Sequence, residues 1–186
     1  MPATLRTFIG IPIPATPAIE VMLRELKGMG RNVRSTPPGQ LHLTLKFLGE
    51  TPRDVVPSLR KVLTEVAGGA ARHSIRLVGL GAFPSPARPT VIWVGIQPDE
   101  VLKRMAAALD AHLEPLGFVP ESRPYHPHLT LARVNGLIPG LQEFLAEHPA
   151  TPFGDCVVNN VTLYQSEPAA NGSRYTDLSS STLPAQ

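Results

Sequence analysis

Cysteine is nearly absent from this sequence, since Cys156 is the only cysteine among 186 residues. A single thiol cannot form an intrachain disulfide, and one chain cannot build a thiolate metal cluster from it. The composition therefore excludes a disulfide-stabilised secreted domain and a thiolate zinc domain. A reducing compartment suits such a chain, and we expect the protein to be cytoplasmic.

Long apolar segments and a strong charge excess are also absent. No stretch approaches the about 18 consecutive apolar residues of a transmembrane helix. The N-terminal MPATLRTFIGIPIP lacks the basic start and cleavage site of a signal peptide, so we expect neither secretion nor membrane association. The formal net charge of +2 permits a polyanionic partner but falls short of the basic excess of proteins that coat nucleic acids.

Hydrophobic residues and prolines are abundant, at 42% of the chain and 21 residues respectively. A chain of this length suffices for one compact domain or two packed lobes, and scattered prolines imply short elements with firm turns. Alternation predicts strands at 5–13, 41–48, 74–83, 89–96, 127–133, 153–159, 161–166 and 174–178. Helical spacing predicts helices at 16–29, 52–66, 100–114 and 141–148. The pattern indicates an α+β fold with mixed or antiparallel sheets and helices packed on one side of each.

One tetrapeptide, His-Leu-Thr-Leu, occurs twice, at residues 42–45 and again at 128–131. The two copies lie about half the chain length apart, which suggests an internal duplication with pseudo-twofold symmetry. Each copy lies in an alternating segment, so the leucines face the core and His and Thr face the other side. The duplication therefore predicts two equivalent polar strands that converge on one groove.

The four polar residues of the repeat supply what metal-free phosphodiester hydrolysis needs. Residues i and i+2 of a strand lie on one face about 6–7 Å apart, a spacing that can straddle a phosphoryl group. Histidine can be neutral or protonated near pH 7, so His42 and His128 can provide one general base and one general acid. The hydroxyls of Thr44 and Thr130 can donate to the non-bridging phosphate oxygens. A strained cyclic phosphate suits this modest apparatus better than a linear diester.

Three further polar residues are candidates for substrate binding. Lys46 is expected on the same face of its strand as His42, so it can reach a phosphate. The alternative is that Lys46 is an ordinary lysine on the solvated surface. His126 has the parity of His128 if the strand begins early, although Pro127 can mark the strand edge. The guanidinium group of Arg133 is well suited to binding a phosphate. Strict alternation, however, places Arg133 on the same face as the core leucines, so it can reach the groove only through a bulge or a strand end.

Three aromatic residues near the motifs have two possible roles. Tyr125, Phe47 and Tyr175 can stack on a terminal base, as in many proteins that bind single-stranded RNA. Core packing is the interpretation that we favour for each, since Phe47 shares the parity of the leucines in its strand. Cys156 lies beside two valines in a predicted strand and is expected to be a buried, inert thiol.

Five segments together resemble the 2H phosphoesterase superfamily, in particular RNA 2',3'-cyclic phosphodiesterases, also called 2'-5' RNA ligases. They are RTFIGIPIP, LHLTLKFLGE, GAFPSPARPTVIWVG, RPYHPHLTLAR and LYQSEPAANGSRYTDL, and they span nearly the whole chain. The resemblance implies a single bilobal domain over 1–186, with two pseudo-symmetric sheets, helices on their outer faces and a central groove. It also implies hydrolysis of an RNA 2',3'-cyclic phosphate to a 2'-phosphate, with His42 as proton donor and His128 as proton acceptor.

The same resemblance implies no metal and no cofactor, a monomer, and a partner that is an RNA 3' end, such as a tRNA fragment, or a small cyclic nucleotide. It further implies a weak, reversible 2'-5' joining activity. Alternatives remain open at this point. The protein can be a related phosphodiesterase that acts on a small cyclic nucleotide or a 2'-5' oligoadenylate, or a module that binds a nucleotide or RNA end without turnover. A histidine-ligated metal hydrolase has little support, because neither motif has a neighbouring carboxylate at ligand spacing.

Overall fold

The computed structural model describes residues 4–170 and 172–185, so the expected domain limits at 1 and 186 lie outside the described residues. This part of the chain forms nine strands and four α-helices. The strands are β1 (Thr4–Pro12), β2 (Val33–Ser35), β3 (His42–Pro52), β4 (His73–Phe83), β5 (Val91–Gln97), β6 (His128–Val134), β7 (Pro152–Val158), β8 (Asn160–Ala169) and β9 (Gly172–Thr182). The helices are α1 (Pro17–Gly28), α2 (Val56–Gly68), α3 (Glu100–Leu113) and α4 (Leu141–Ala146). No described helix has the length and apolarity to cross a membrane.

The helices form where the apolar spacing predicts them. In α1 the hydroxyl of Thr16 accepts a hydrogen bond from the amide of Ile19 at 3.2 Å, and Pro17 occupies the first turn, where its missing N–H costs nothing. The hydroxyl of Thr16 also donates to the carbonyl of Phe153, which fixes the start of α1 against β7. The three-residue strand β2 was not predicted, because three residues are too few to show alternation.

The eight strands of the main path through the nine-stranded sheet divide into two four-stranded lobes that interleave along the chain. The strand order is β7-β4-β5-β6-β3-β1-β8-β9, with β2 also paired to β6, and every recorded pair among the described residues is antiparallel. The first lobe contains β1, β3, β8 and β9, and α2 and α3 pack on it. The second lobe contains β4 to β7, and α1 and α4 pack on it. The predicted α+β, two-lobed architecture is confirmed, but neither lobe is a contiguous half of the sequence.

The two lobes meet where the two repeats meet. Leu43 of β3 pairs with Leu129 of β6, and this single residue pair joins the lobes into one continuous sheet. Both leucine side chains are completely buried in a core that runs through both lobes. Side chains alternate along a strand, so burying these leucines directs their neighbours in both motifs to the opposite face.

Each motif strand carries a β-bulge one residue after its threonine. In β3 the register to β1 jumps between Lys46 and Thr44, and in β6 the register to β5 jumps between Ala132 and Thr130. A bulge adds one residue and reverses the side-chain parity beyond it. In both strands the side chains therefore switch to the opposite face of the sheet at the same position of the repeat.

The bulge in β3 corrects the sequence prediction for two side chains. Phe47, predicted to lie on the core face, is 71% exposed and lies near Phe8, with ring centroids 6.2 Å apart. Lys46, predicted to share a face with His42, instead points toward helix α3. Strict alternation fails here because the inserted residue, Leu45, shifts Lys46 and Phe47 by one position, before a second register shift between Phe47 and Gly49.

A glycine allows β1 to approach β3 at the first motif. Gly10 lies between Thr44 and Thr162 on the neighbouring strands. A Cβ atom at residue 10 would lie 2.7 Å from the carbonyl oxygen of Leu43 and 3.6 Å from Cδ2 of His42. Since the first of these atoms belongs to the backbone, only glycine permits this strand spacing.

Replacing Gly10 by alanine is expected to lower the free energy of unfolding by about 1–3 kcal/mol, because the new methyl group forces two paired strands apart. Urea denaturation measures the change. The control is Gly28→Ala at the end of α1, where a Cβ atom would meet nothing within 4 Å. Alanine favours a helix over glycine, so this control is expected to be neutral or slightly stabilising. Equal stabilities for the two variants would contradict the packing argument.

Candidate active site

The imidazoles of the two motifs have matching orientations. Nδ1 of His42 lies 2.8 Å from the carbonyl oxygen of Gln40, and Nδ1 of His128 lies 2.7 Å from the carbonyl oxygen of His126. A carbonyl oxygen only accepts, so Nδ1 carries the hydrogen in both rings and donates it. Each Nε2 is thereby left as the nitrogen that can take a proton from a substrate or give one to it.

Each histidine is surrounded by its own group of rings. The rings near His42 are Phe8, Tyr164 and Tyr175, with centroids 4.8, 5.9 and 5.0 Å from the imidazole. The rings near His128 are Phe83, Trp93 and His126, at 5.0, 6.2 and 6.3 Å. Most of these rings come from strands of the same lobe as the histidine, which gives the two motifs equivalent walls. The walls fix the imidazoles and exclude part of the surrounding water.

Burial lowers the pKa of both histidines. For His42 desolvation is the largest effect, the hydrogen bond to Gln40 partly offsets it, and the positive charges of Arg133 and His128 lower the pKa further. For His128 desolvation again dominates, the hydrogen bond to the His126 backbone opposes it, and the His126 ring lowers the pKa. The free protein therefore favours two neutral imidazoles, and an anion bound between them would raise the pKa of each.

The two threonines are held through their backbone carbonyls. The hydroxyl of Thr36 donates to the carbonyl of Thr130 at 3.2 Å, and the hydroxyl of Tyr125 donates to the carbonyl of Thr44 at 2.9 Å. Each donor belongs to the segment that precedes the other motif. These crossed hydrogen bonds set the spacing between the motifs and leave both threonine hydroxyls on the histidine face.

Tyr125 thus has a structural contact that the sequence did not suggest. Its phenol group is engaged with Thr44, and burial raises its pKa above the ordinary tyrosine value. The ring packs against the hydrophobic core and the hydroxyl is bonded to Thr44, so we assign Tyr125 to the positioning of β3. Thr36 was missed altogether, since an isolated threonine before a proline pair carries no recognisable signal.

Lys46 lies away from the imidazoles. Its Nζ is 2.5 Å from a carboxylate oxygen of Asp110 on α3 and donates to the carbonyl of Val119 at 2.8 Å. The other oxygen of Asp110 accepts from the amide of Glu121 at 3.1 Å. Lys46 therefore holds the loop before β6 against the first lobe, and its ammonium group is engaged by Asp110 and Val119.

Arg133 and His126 lie beside the histidine pair. The bulge in β6 places Arg133 on the exposed face, near enough to His42 for its charge to affect the pKa of that ring. The His126 ring lies beside His128 and contacts Trp93 at a centroid distance of 5.1 Å. A cavity of about 540 Å³ opens at this point, lined by Trp93, Gln97 and His126 among others.

The polar residues in and around the groove do not form a metal site. Among residues 4–170 and 172–185, no three His, Cys, Asp or Glu side chains converge as ligands. The buried thiol of Cys156 has a raised pKa, chiefly because of desolvation, and it lies outside the groove. The site thus offers two imidazoles, two hydroxyls and one guanidinium for chemistry.

Comparison with known protein families shows which family has this arrangement of motifs. The model of the 2'-5' RNA ligase superfamily matches residues 15–169 of the sequence. The chain belongs to this superfamily. The resemblance that the motifs suggested is thereby confirmed, and the match covers both His-Leu-Thr-Leu segments.

Relatives in the 2'-5' RNA ligase superfamily include curated proteins and solved structures. The RNA 2',3'-cyclic phosphodiesterase of Archaeoglobus fulgidus is 30% identical over 176 residues, which cover 94% of this chain and 98% of that protein. The protein of the same name from Aeropyrum pernix is 36% identical over 140 residues, covering 74% and 78%. The crystal structure of a Thermus thermophilus protein, TT0787, has a TM-score of 0.84 at 29% identity and covers 97% of this chain and 99% of its own.

The imidazole protons of His42 and His128 are expected to titrate below pH 6.5 in the free protein, because burial disfavours both imidazolium ions. Added inorganic phosphate is expected to raise both pKa values by charge attraction. A titration followed by NMR measures them, with the resonances assigned from His42→Asn and His128→Asn. Midpoints at or above 6.5 without phosphate would contradict the proposed desolvation.

Proposed function

We propose that this protein hydrolyses the 2',3'-cyclic phosphate at an RNA 3' end to a 2'-phosphate, with the two motif histidines as general acid and general base. The observation that carries the proposal is the joining of both motifs at the Leu43–Leu129 pair, with each Nδ1 bonded to a carbonyl. In the proposed complex the two Nε2 atoms lie on either side of one phosphorus atom, and the effect of the His128 charge on the pKa of His42 supports this proximity.

In the proposed reaction the oxygen of a water molecule attacks phosphorus, and His128 accepts the proton that this water loses. The bond between phosphorus and the ribose 3'-oxygen breaks, and His42 donates its proton to that oxygen. The product carries a 2'-phosphate and a free 3'-hydroxyl. The hydroxyls of Thr44 and Thr130 and the guanidinium of Arg133 stabilise the charge on the non-bridging oxygens. The roles of the two histidines follow from the family resemblance, because their surroundings are too similar to distinguish them.

The substrate itself completes the protonation state that the reaction needs. In the free protein the pKa of His42 is lowered by burial and by Arg133. A cyclic phosphate diester carries one negative charge, so its binding favours an imidazolium on one side of the groove. The other histidine stays neutral because two adjacent imidazolium ions repel each other. An anionic substrate therefore produces the acid and base pair on arrival.

The names of the relatives and the shape of the groove support the substrate class. Curated relatives are named RNA 2',3'-cyclic phosphodiesterase, and one related crystal structure is that of E. coli LigT complexed with 3'-AMP, at a TM-score of 0.72 and 28% identity. In this protein the cavity beside Trp93 and His126 has the size of a nucleoside site. The exposed ring of Phe47 offers a second surface on which a base can stack.

The same groove accommodates a joining reaction. If a ribose 5'-hydroxyl takes the place of water, its attack on the cyclic phosphate forms a 2'-5' phosphodiester and releases the 3'-oxygen with the same proton transfers. We propose this as a minor, reversible activity. Because both motifs belong to one chain, we also propose that a monomer contains the complete site.

An RNA oligonucleotide ending in a 2',3'-cyclic phosphate is expected to be converted to the 2'-phosphate in the presence of a chelator. His42→Ala and His128→Ala are each expected to lower the turnover rate by about 10²–10⁴-fold, the range for loss of a general acid or base. Chromatography against synthetic 2'- and 3'-phosphate standards identifies the product.

The matched control for these variants is His112→Ala. His112 lies on α3, is 43% exposed and faces Glu65 of α2 rather than the groove. Its loss is expected to leave turnover at the wild-type rate. Folding of all three variants is compared by circular dichroism. A binding module without activity would show no turnover in the wild type, and a near-normal rate in either motif variant would contradict the acid and base roles.

A substrate with a good leaving group is expected to separate the two histidine roles. Bis(p-nitrophenyl) phosphate releases p-nitrophenolate, which needs no proton from an acid, whereas attack by water still needs a base. His42→Ala is therefore expected to lose much less activity on this ester than on the RNA cyclic phosphate, and His128→Ala to lose activity on both. Release of the coloured phenolate gives the rates. The opposite pattern would exchange the two assignments.

A further inference from the structure

Two arginines lie directly opposite each other on the edge of the groove. Arg34 of β2 pairs with Arg133 of β6 in an antiparallel register. Residues that face each other in this way project from the same face of a sheet, about 5 Å apart at their backbones. Their neighbours Val33, Ala132 and Val134 are buried, so both guanidinium groups are on the exposed face.

This pairing is unusual within the molecule. Three other arginines also occupy cross-strand positions, and each lies opposite an acidic residue, Arg6 opposite Glu50 among them. Arg76 pairs with Asp155, and Arg174 pairs with Glu167, with N–O distances of 3.3 and 3.1 Å. By contrast, neither Arg34 nor Arg133 has a carboxylate within ion-pair distance among residues 4–170 and 172–185. Like charges placed opposite each other destabilise a sheet, so this pair favours an anionic ligand.

The position of the pair relates it to the proposed reaction. Arg133 is the inner member, since its charge lowers the pKa of His42. Arg34 is the outer member and reaches toward the hairpin between β8 and β9, where its Cδ lies 3.8 Å from the place of a Cβ on Gly172. Both arginines therefore lie on the exposed face of the sheet, with Arg133 near His42 and Arg34 near the β8–β9 hairpin.

We propose that Arg34 binds the internucleotide phosphate on the 5' side of the terminal nucleotide, while Arg133 binds the cyclic phosphate. This inference rests on the proposed function and specifies its substrate class. An RNA chain extends from its 3'-terminal nucleotide only through that internucleotide phosphate, and a nucleoside 2',3'-cyclic phosphate lacks it. Adjacent strands are separated by about 5 Å, a spacing of the same order as that of successive phosphates along RNA. The arginine pair thus selects oligonucleotide ends over single cyclic nucleotides.

The test compares a nucleoside 2',3'-cyclic phosphate with a dinucleotide that ends in the same group. The wild-type protein is expected to have the higher kcat/KM for the dinucleotide. In Arg34→Gln the ratio of the two kcat/KM values is expected to fall by about tenfold, as for loss of a hydrogen bond between charged groups. The salt dependence of log KM for the dinucleotide is expected to become shallower by about one.

The matched control is Arg76→Gln, which removes the same charge from a cross-strand position outside the groove and is expected to keep the wild-type ratio. A dinucleotide with a neutral methylphosphonate linkage provides a second test that needs no variant, since the wild type is expected to lose its preference for it. An unchanged ratio in Arg34→Gln, or an undiminished preference for the methylphosphonate, would overturn the proposal. Absence of turnover of both natural substrates by the wild type would instead overturn the proposed function.

Discussion

The site depends on one backbone contact, the pairing of Leu43 with Leu129. It is the only recorded residue pair between β3 and β6 in the described part of the chain, and the two leucines are fully buried. Burying them fixes which face of each strand carries the polar residues, because side chains alternate. The relative placement of the two histidine-bearing strands therefore follows from the core of the protein. Crossed hydrogen bonds from Thr36 and Tyr125 to the threonine carbonyls reinforce this junction.

The electrostatic character of the groove follows from its walls. Aromatic rings partly desolvate both imidazoles, and arginines supply positive charge that described carboxylates do not neutralise. In such surroundings an imidazolium is unfavourable until an anion arrives. These lowered pKa values and unpaired arginine charges are the surroundings that the proposed binding of a phosphate requires. In the proposed mechanism, the charge of the bound substrate is what gives two nearly equivalent histidines opposite roles.

The two repeats share their backbone geometry and differ in their chemistry. Both motif strands bulge one residue after the threonine, and in both the fifth residue after histidine turns to the exposed face. That residue is Phe47 in the first lobe and Arg133 in the second. The same β-bulge therefore exposes an aromatic ring in the first lobe and a guanidinium group in the second. The asymmetry suits a nucleotide, which has a base to stack and a phosphate to bind.

Periodicity in the amino-acid sequence was enough to predict the helices, most strands, the α+β class and the polar face of each motif, because periodicity reports local burial. The repeated tetrapeptide also indicated the histidines and threonines as a set. The interleaving of the lobes, the opposition of Arg34 and Arg133, and the engagement of Lys46 by Asp110 depended on contacts between distant segments. Strict alternation gave the wrong face for Phe47 because a single inserted residue reverses parity, and a bulge leaves no signature in composition. Only the register of paired strands decides where such a residue points.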